Sequence, residues 1–198
     1  MRIAQVALTG ISPYSQSRWY ANEIEQEGRA TGTKTESKDA YERRTWRNRL
    51  HVDSDGLVFV PPMSLKNAMS EAAKYLSVQI PGKGKTTYTK HFEAGVLVTE
   101  PMRFTPAIKA ADVAGEWLFV PADGKRGGSR RVERCFPVIP AGWTGTVLFH
   151  VLDDVITEPV FEQHLREAGN FIGIGRFRPR NNGFYGRFKV EDITWQTM

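Results

Sequence analysis

Between Pro61 and Pro81 one stripe of apolar residues runs unbroken. Leu65, Ala68, Met69, Ala72, Ala73 and Leu76 stand at i, i+3, i+4, i+7, i+8 and i+11. That spacing predicts a helix with a single narrow buried face. Ser64 occupies the expected N-cap position, and Pro81-Gly82 is the expected stop.

Strand patterns flank this helix. RIAQVALTGI near the N-terminus places Ala4, Val6 and Leu8 on one face and Gln5, Ala7 and Thr9 on the other, until Pro13 ends it. AGVLVTEPMRF (94–104) reads as a second strand. TGTVLFHVL (144–152) reads as a third, apolar on both faces and therefore central. Thr157, Glu158 and Pro159 open a second helix whose apolar side is Val160, Phe161, Leu165 and Ala168, with Gly169 closing it. FYGRFKVEDITW supplies the last strand. The order is β-α-β-β-α-β, an α+β class: the ferredoxin-like, or RRM-like, arrangement of four antiparallel strands backed by two helices. The 198 residues suffice for one domain, 1–198, carrying insertions at about 15–50 and 105–145.

Composition narrows the class. At 40% hydrophobic and 25% charged, the chain reads as an ordinary globular protein. No apolar run approaches the roughly 18 residues of a spanning helix, and no membrane partner is expected. MRIAQVALTG lacks the features of a signal peptide, so the expected address is cytoplasmic. Cys135 is the only cysteine, which excludes an internal disulfide; with four dispersed histidines it also excludes a cysteine-rich zinc site. No cofactor and no metal is expected.

Net charge is +5, but its distribution says more than its total. Three glycine-bearing stretches hold 13 of the 27 basic residues. GKGKTTYTK carries Lys83, Lys85 and Lys90. GKRGGSRRVER carries Lys125, Arg126, Arg130, Arg131 and Arg134. GIGRFRPRNNGFYGRFKV (173–190) carries Arg176, Arg178, Arg180, Arg187 and Lys189, with no acid. Such loops suit a polyanion. In the last stretch Gly173, Gly175, Gly183 and Gly186 would let main chain approach a ligand. Phe177, Phe184, Tyr185 and Phe188 offer faces for unpaired bases, or core for a tight hairpin. The β-α-β-β-α-β order places this stretch beside the first helix.

FVPPMSLKNAMSEAAKYL resembles the I-P-G-S-S-L-K-G start of the first helix in the repeat-associated mysterious proteins (RAMPs), RNA-binding subunits of CRISPR systems. GIGRFRPRNNGFYGRFKV is similar to their C-terminal glycine-rich loop and strand. The resemblance covers about half the chain, and both motifs fall at the places expected in that core. Pro62 and Met63 stand where the family usually has Gly and Ser, and Asn67 replaces a usual glycine. Similarity is greatest to the backbone subunits that polymerise along guide RNA. The resemblance implies a sequence-independent single-stranded RNA binder that associates with copies of itself and with other CRISPR effector subunits. It makes Ser64, Lys66 and Asn67 phosphate ligands at a helix N-terminus, and residues 105–145 a thumb with GKRGGSRR at its tip. Single-stranded DNA stays open as a ligand.

Two other functions stay open. Processing endoribonucleases of the superfamily use a histidine, for which His51 and His91 are candidates; His150 reads as packed and His164 as a helix-surface residue. Target-cleaving subunits use an aspartate before the first helix, where Asp53 and Asp55 stand in a DSDG that also reads as a plain turn. The third function is that of a mobile-element protein that mimics or joins a CRISPR assembly and inhibits it. PGKGKTTY is no phosphate-binding loop, because Gln79 stands where the first glycine is required. Gly173-x-Gly175 follows a helix instead of opening one, which excludes a dinucleotide fingerprint.

Overall fold

The computed structural model describes residues 1–20, 37–122 and 130–197. Along the chain the strands are β1 (Arg2–Gly10), β2 (Tyr14–Ser15), β3 (Phe59–Val60), β4 (Val96–Leu97) and β5 (Met102–Arg103). They continue with β6 (Ala114–Pro121), β7 (Arg131–Ile139), β8 (Thr144–Val151) and β9 (Phe188–Thr197). The helices are α1 (Lys38–Thr45), α2 (Pro62–Leu76), α3 (Thr89–Gly95) and α4 (Glu158–Glu167).

The central sheet runs β4-β8-β1-β9, every neighbour antiparallel. With α2 before β4 and α4 between β8 and β9, this is the α+β, ferredoxin-like core expected from the sequence. One sheet face packs against both helices. Ala4, Val6 and Leu8 of β1 and Val147, Phe149 and Val151 of β8 share a core with Leu65, Met69 and Ala72 of α2 and Phe161 and Leu165 of α4. The register puts Val6 opposite Val147 and Ile193 on that face. On the other face Gln5 lies between Leu148 and Thr194, and Ala7 between Thr146 and Asp192. No Phe, Tyr or Trp stands on this second face in the paired segments, so it offers no aromatic platform for stacking bases.

Several boundaries differ from the sequence pattern. The expected strand at 94–104 is divided. Residues 89–95 are helical, Val96–Leu97 pair with one end of β8, Met102–Arg103 pair with Phe59–Val60, and Phe104 bridges Gly145 at the other end of β8. Pro101, without an N–H, stands just before that second pairing. Helix α2 begins at Pro62 behind an extended Pro61 (ψ 141°), because a proline suits the first helical position. Ser64 is therefore in the first turn, not at the N-cap; its N–H donates to the Pro61 carbonyl at 3.0 Å. The helix ends before Pro81, where Ser77 adopts a left-handed conformation (φ 49°). Gly169 does not end the second helix. A wide turn, Ala168–Ile172, continues it to Gly173 at φ 68°. A Cβ at Gly169 would lie 2.1 Å from the Phe188 carbonyl oxygen, so the glycine marks close passage of this turn beneath β9.

His164 is buried, contrary to its expected place on the helix surface. It stacks on Phe92 with centroids 4.4 Å apart, and its Nδ1 bonds the Val160 carbonyl at 2.7 Å. Burial pushes its imidazole below the ordinary value, so it is held neutral. His150, expected to be packed, is half-buried and meets the Thr99 hydroxyl at 3.3 Å on the open face.

The first insertion contributes structure of its own. Residues 37–50 pack against β7 through Tyr41, Trp46 and Leu50. The Glu42 carboxylate is buried there. It accepts from the Cys135 N–H at 2.9 Å and pairs with Arg49 at 2.7 Å and Arg134 at 3.4 Å. A buried carboxylate requires such partners. The second insertion is the β6–β7 hairpin, whose β7 also pairs with β2. Its expected tip at Lys125 and Arg126 lies outside the described residues, while Arg130 and Arg131 are exposed where β7 begins.

The glycine-rich stretch folds back on itself and on β2. The Arg176 N–H donates to Ser15 O at 2.8 Å, Ile174 N–H to Gly186 O at 3.0 Å, and Gly186 N–H to Pro13 O at 2.7 Å. A Cβ at Gly175 (φ +80°) would sit 2.5 Å from both Ser15 O and the Tyr14 ring; one at Gly183 would sit 1.7 Å from Phe177 O. Internal packing therefore demands both glycines, a requirement that the sequence pattern did not show.

Two stability outcomes follow from this packing. Gly175→Val should cost about 3 kcal/mol or more, lowering Tm by roughly 6–12 °C. Gly142→Ala, where a Cβ meets nothing within 4 Å, should cost only about 1–2 kcal/mol. Equal melting of Gly175→Val and the parent protein would contradict this packing. A second outcome concerns acid. Since the folded His164 pKa lies below its ordinary 6.5, its contribution is complete above that pH and is lost as pH falls below it, by up to about 1.4 kcal/mol per pH unit. His51 shifts the same way. Urea titrations at several pH values should show a shallower decline below pH 6.5 for His164→Phe than for the parent. Identical slopes would refute it.

Candidate nucleic-acid interface

The N-terminal end of α2, the glycine-rich loop and the segment after β1 enclose an open cleft of about 380 Å³. Ser64 and Asn67 line it from α2, one turn apart, because residues three positions apart share a helix face. Gly175, Arg176 and Arg178 line it from the loop, held there by the bond from Arg176 to Ser15. Tyr14, Gln16 and His51 form the remaining wall. Gln16 is buried and locks that wall: its amide donates to Phe59 O at 2.7 Å and to the Tyr14 hydroxyl at 3.1 Å, and accepts from the His51 N–H at 2.6 Å.

Arg176 is the most distinctive group. Its guanidinium lies 3.5 Å from the centroid of the Phe136 ring and packs near Tyr185, whose hydroxyl donates to Glu116. Stacking fixes its plane. Burial lowers its pKa from the usual arginine value, opposed by Tyr185 and Glu116. Its Nη1 atom is buried with no hydrogen-bond partner. A charged group with a buried, unsatisfied N–H is costly to hold, and the Phe136 and Tyr185 rings and the Glu116 charge beside it offset part of that cost.

The other arginines are more committed than their sequence suggests. Arg178 donates to Glu71 Oε1 at 2.6 Å and reaches the Gly173 carbonyl at 3.4 Å, while Arg180 lies 3.8 Å from Glu71 Oε2. Glu71 thus ties the loop to α2 and offsets part of its charge. Gly173 sits under this loop, where a Cβ would be 2.6 Å from Pro179. Arg187 is exposed at the approach to β9.

Among the described residues, Lys66, Lys83, Lys85 and Lys90 do not line the cleft. Lys66 lies within electrostatic reach of Glu93, as does Lys90; Lys74 pairs with that carboxylate at 2.6 Å and, by hydrogen bond and charge, lowers its pKa. Lys83 and Lys85 are exposed on the loop beyond the opposite end of α2, where Lys83 faces Asp153. Lys66 therefore does not join Ser64 and Asn67 in lining the cleft.

Of the catalytic candidates, only His51 lines the cleft. Burial, aided by the Arg18 charge, lowers its pKa, leaving the imidazole neutral near pH 7. His91 is bound elsewhere, its Nδ1 2.6 Å from Asp153. Burial raises the Asp153 pKa, but hydrogen bonds from His91 and the Val155 N–H outweigh it and hold the carboxyl below its ordinary range. Asp53 forms a turn, its Oδ1 accepting from the N–H groups of Asp55 and Leu57 at 3.0 Å each, with Arg103 3.1 Å from Oδ2. Asp55 is exposed at that turn. Among the described residues, no group of three His, Cys, Asp or Glu could hold a metal, and no helix is long and apolar enough to cross a membrane.

Sequence reasoning missed Tyr14, Gln16 and Glu71. The first two follow β1 in PYSQSRWY, a polar stretch without periodicity, and they reach the cleft only through the β2 pairing. Glu71 carried a usable signal: it falls on the α2 stripe of Ser64 and Asn67, opposite an arginine-rich loop.

No protein-family model matches the chain, and no curated protein matches it. Among solved structures, the crystal structure of Cmr6 from Pyrococcus furiosus aligns with a TM-score of 0.50 at 10% identity, over 96% of this chain and 99% of that one. A chain of the cryo-EM structure of the Type III-B Cmr-beta bound to cognate target RNA aligns with a TM-score of 0.48 at 12% identity. There, 98% of this chain covers 60% of the other, so this protein spans about three-fifths of that relative. At this identity the likeness to Cmr6 shows a shared fold.

Proposed function

We propose that this protein is a RAMP-type subunit of a CRISPR ribonucleoprotein that holds single-stranded RNA by its backbone, without regard to sequence. The observation that carries this reading is the cleft itself. It is lined by Ser64 and Asn67 from the N-terminal turns of a helix and by Arg176 and Arg178 from the facing loop. Donors at the positive end of a helix suit a phosphate, and phosphate contacts carry no sequence information. On this reading the chain forms one RAMP-like domain, the β6–β7 hairpin serves as its thumb, and copies associate along the strand or with other effector subunits. Lys83, Lys85, Lys90, Arg130 and Arg131 then act at a distance from the cleft, as general attraction to the polyanion.

His51 supports a second reading, an endoribonuclease. A neutral imidazole in a phosphate cleft can accept the proton of a 2′-hydroxyl as its oxygen attacks phosphorus and the 5′-oxygen leaves.

Arg176→Ala should weaken binding of a single-stranded oligoribonucleotide about 10- to 100-fold, the loss of a charged hydrogen bond. It should also flatten the log–log salt slope by about 0.7, one phosphate's share. Lys66→Ala should leave binding within about twofold. Anisotropy titrations at several salt concentrations, with melting curves on each variant, measure both. A folded Arg176→Ala protein with unchanged affinity and slope would remove the cleft from the site. Multiple-turnover cleavage abolished by His51→Ala, with binding retained, would establish the second reading in place of a purely binding role.

A further inference from the structure

A second hollow continues the cleft along α2. Arg178 and Asn181 line both, and Glu71, Lys74 and Arg180 complete the second. Ser64, Asn67 and Glu71 follow one another on α2 at i, i+3 and i+7; the next position on that stripe, i+11, is Tyr75. Tyr75 is 56% exposed, and beside it Phe171 is 47% exposed. Their ring centroids are 5.5 Å apart, with the planes inclined by 32°. Phe171 belongs to the wide turn at Ala168–Ile172, which packs both on α2 and on the Pro179–Asn181 turn that carries Arg180.

Neither ring is needed for the core. Met69, Ala72 and Ala73 fill the buried side of α2, and Ile172, the neighbour of Phe171, is fully buried in its place. Two large aromatic rings left side by side in water are an informative departure from the usual partition of residues. They adjoin the hollow: Tyr75 follows Lys74 on α2, and the turn of Phe171 packs on the turn of Arg180. The hollow's cations are Lys74, Arg178 and Arg180, beside Glu71, with Arg180 still about half exposed.

We propose that Tyr75 and Phe171 form a stacking platform for an unpaired nucleobase of an RNA strand that runs from the cleft along α2. The inference rests on the RNA reading of the cleft and adds to it a direction and a base-contacting subsite. Ser64 and Tyr75 are separated by about 16 Å along the helix, room for a few extended nucleotides. The phosphates of that span pass Arg178, Arg180 and Lys74, and the strand meets exposed ring faces where the charge ends. Any base presents a π-face, so the platform keeps binding independent of sequence. An apolar protein anchor would instead call for an apolar pocket, whereas the walls of this hollow are charged and polar.

The test compares the parent protein with the Tyr75→Ala/Phe171→Ala double variant. The probes are a single-stranded oligouridylate and an abasic ribose-phosphate oligomer of equal length. The double variant should bind the oligouridylate about 5- to 100-fold more weakly, with an unchanged salt slope because no phosphate contact is removed. Its affinity for the abasic oligomer should match the parent's, and Tyr75→Phe should retain full binding. A folded double variant with parental affinity for oligouridylate would overturn the platform while leaving the cleft reading intact. Equal losses on both oligomers would overturn it too, since no base would be involved. If the variant instead lost a co-purifying protein and kept RNA affinity, the rings would be a protein contact. Failure of the parent to bind either probe would remove the cleft reading, and the platform with it.

Discussion

Three backbone hydrogen bonds seat the glycine-rich loop: Arg176 to Ser15, Ile174 to Gly186, and Gly186 to Pro13. The site depends on them. They bring a segment from the C-terminal end of the chain onto the residues just after β1, more than 150 positions away, and so close the cleft against α2. Such long-range closure needs main chain to meet main chain, and side chains would prevent it; Gly175 faces Ser15 and Tyr14, and Gly186 faces Ile174. With the loop seated, Arg176 lies over Phe136 and beside Tyr185, which places its guanidinium on the β6–β7 hairpin side. The hairpin is anchored from behind by the buried Glu42 carboxylate with Arg49 and the Cys135 N–H. Loop, hairpin and α1 therefore support one another around the site.

Charge is organised by pairing as much as by accumulation. The loop concentrates arginines, yet Glu71 holds Arg178 and lies near Arg180, leaving Arg176 to face the cleft without a carboxylate of its own in hydrogen-bond contact. A loop of like charges beside a helix would repel itself and drift; one carboxylate on α2 converts that tendency into a tether. On the proposed reading the tether also limits how many phosphates the loop can neutralise, so affinity would draw on helix-terminal donors and, at longer range, on lysines elsewhere. In its paired segments the open sheet face carries no aromatic ring, and on the proposed reading base stacking falls to the α2 groove.

Much of the fold was legible in the sequence. Strict alternation in β1 and the 3.6-residue stripe of α2 are local patterns, and burial follows them: Ala4, Val6, Leu8, Leu65 and Met69 are all in the core. The strand at 94–104 was misread because its apolar residues serve two different sheets, and pairing partners far along the chain decide which. His164 was placed on the surface because helical position alone does not reveal that α3 lies over it and contributes Phe92. In the site, Ser64, Asn67, Gly175, Arg176 and Arg178 were legible as motif residues, whereas the isolation of Lys66 and the commitment of Arg178 to Glu71 were not. Charge counts cannot show which cations already have partners. Tyr14 and Gln16 were hidden for a related reason, since they reach the cleft only through a two-residue pairing with β7.

The central claim is that RNA phosphate occupies the cleft between α2 and the glycine-rich loop. A crystal structure with a short single-stranded oligoribonucleotide tests it most directly. The account predicts a phosphate within hydrogen-bond distance of the Arg176 guanidinium and of Ser64 or Asn67, with the backbone of the loop unchanged. An oligonucleotide bound only at the Lys83–Lys85 loop or across the open face of the sheet, with the cleft empty, would contradict it.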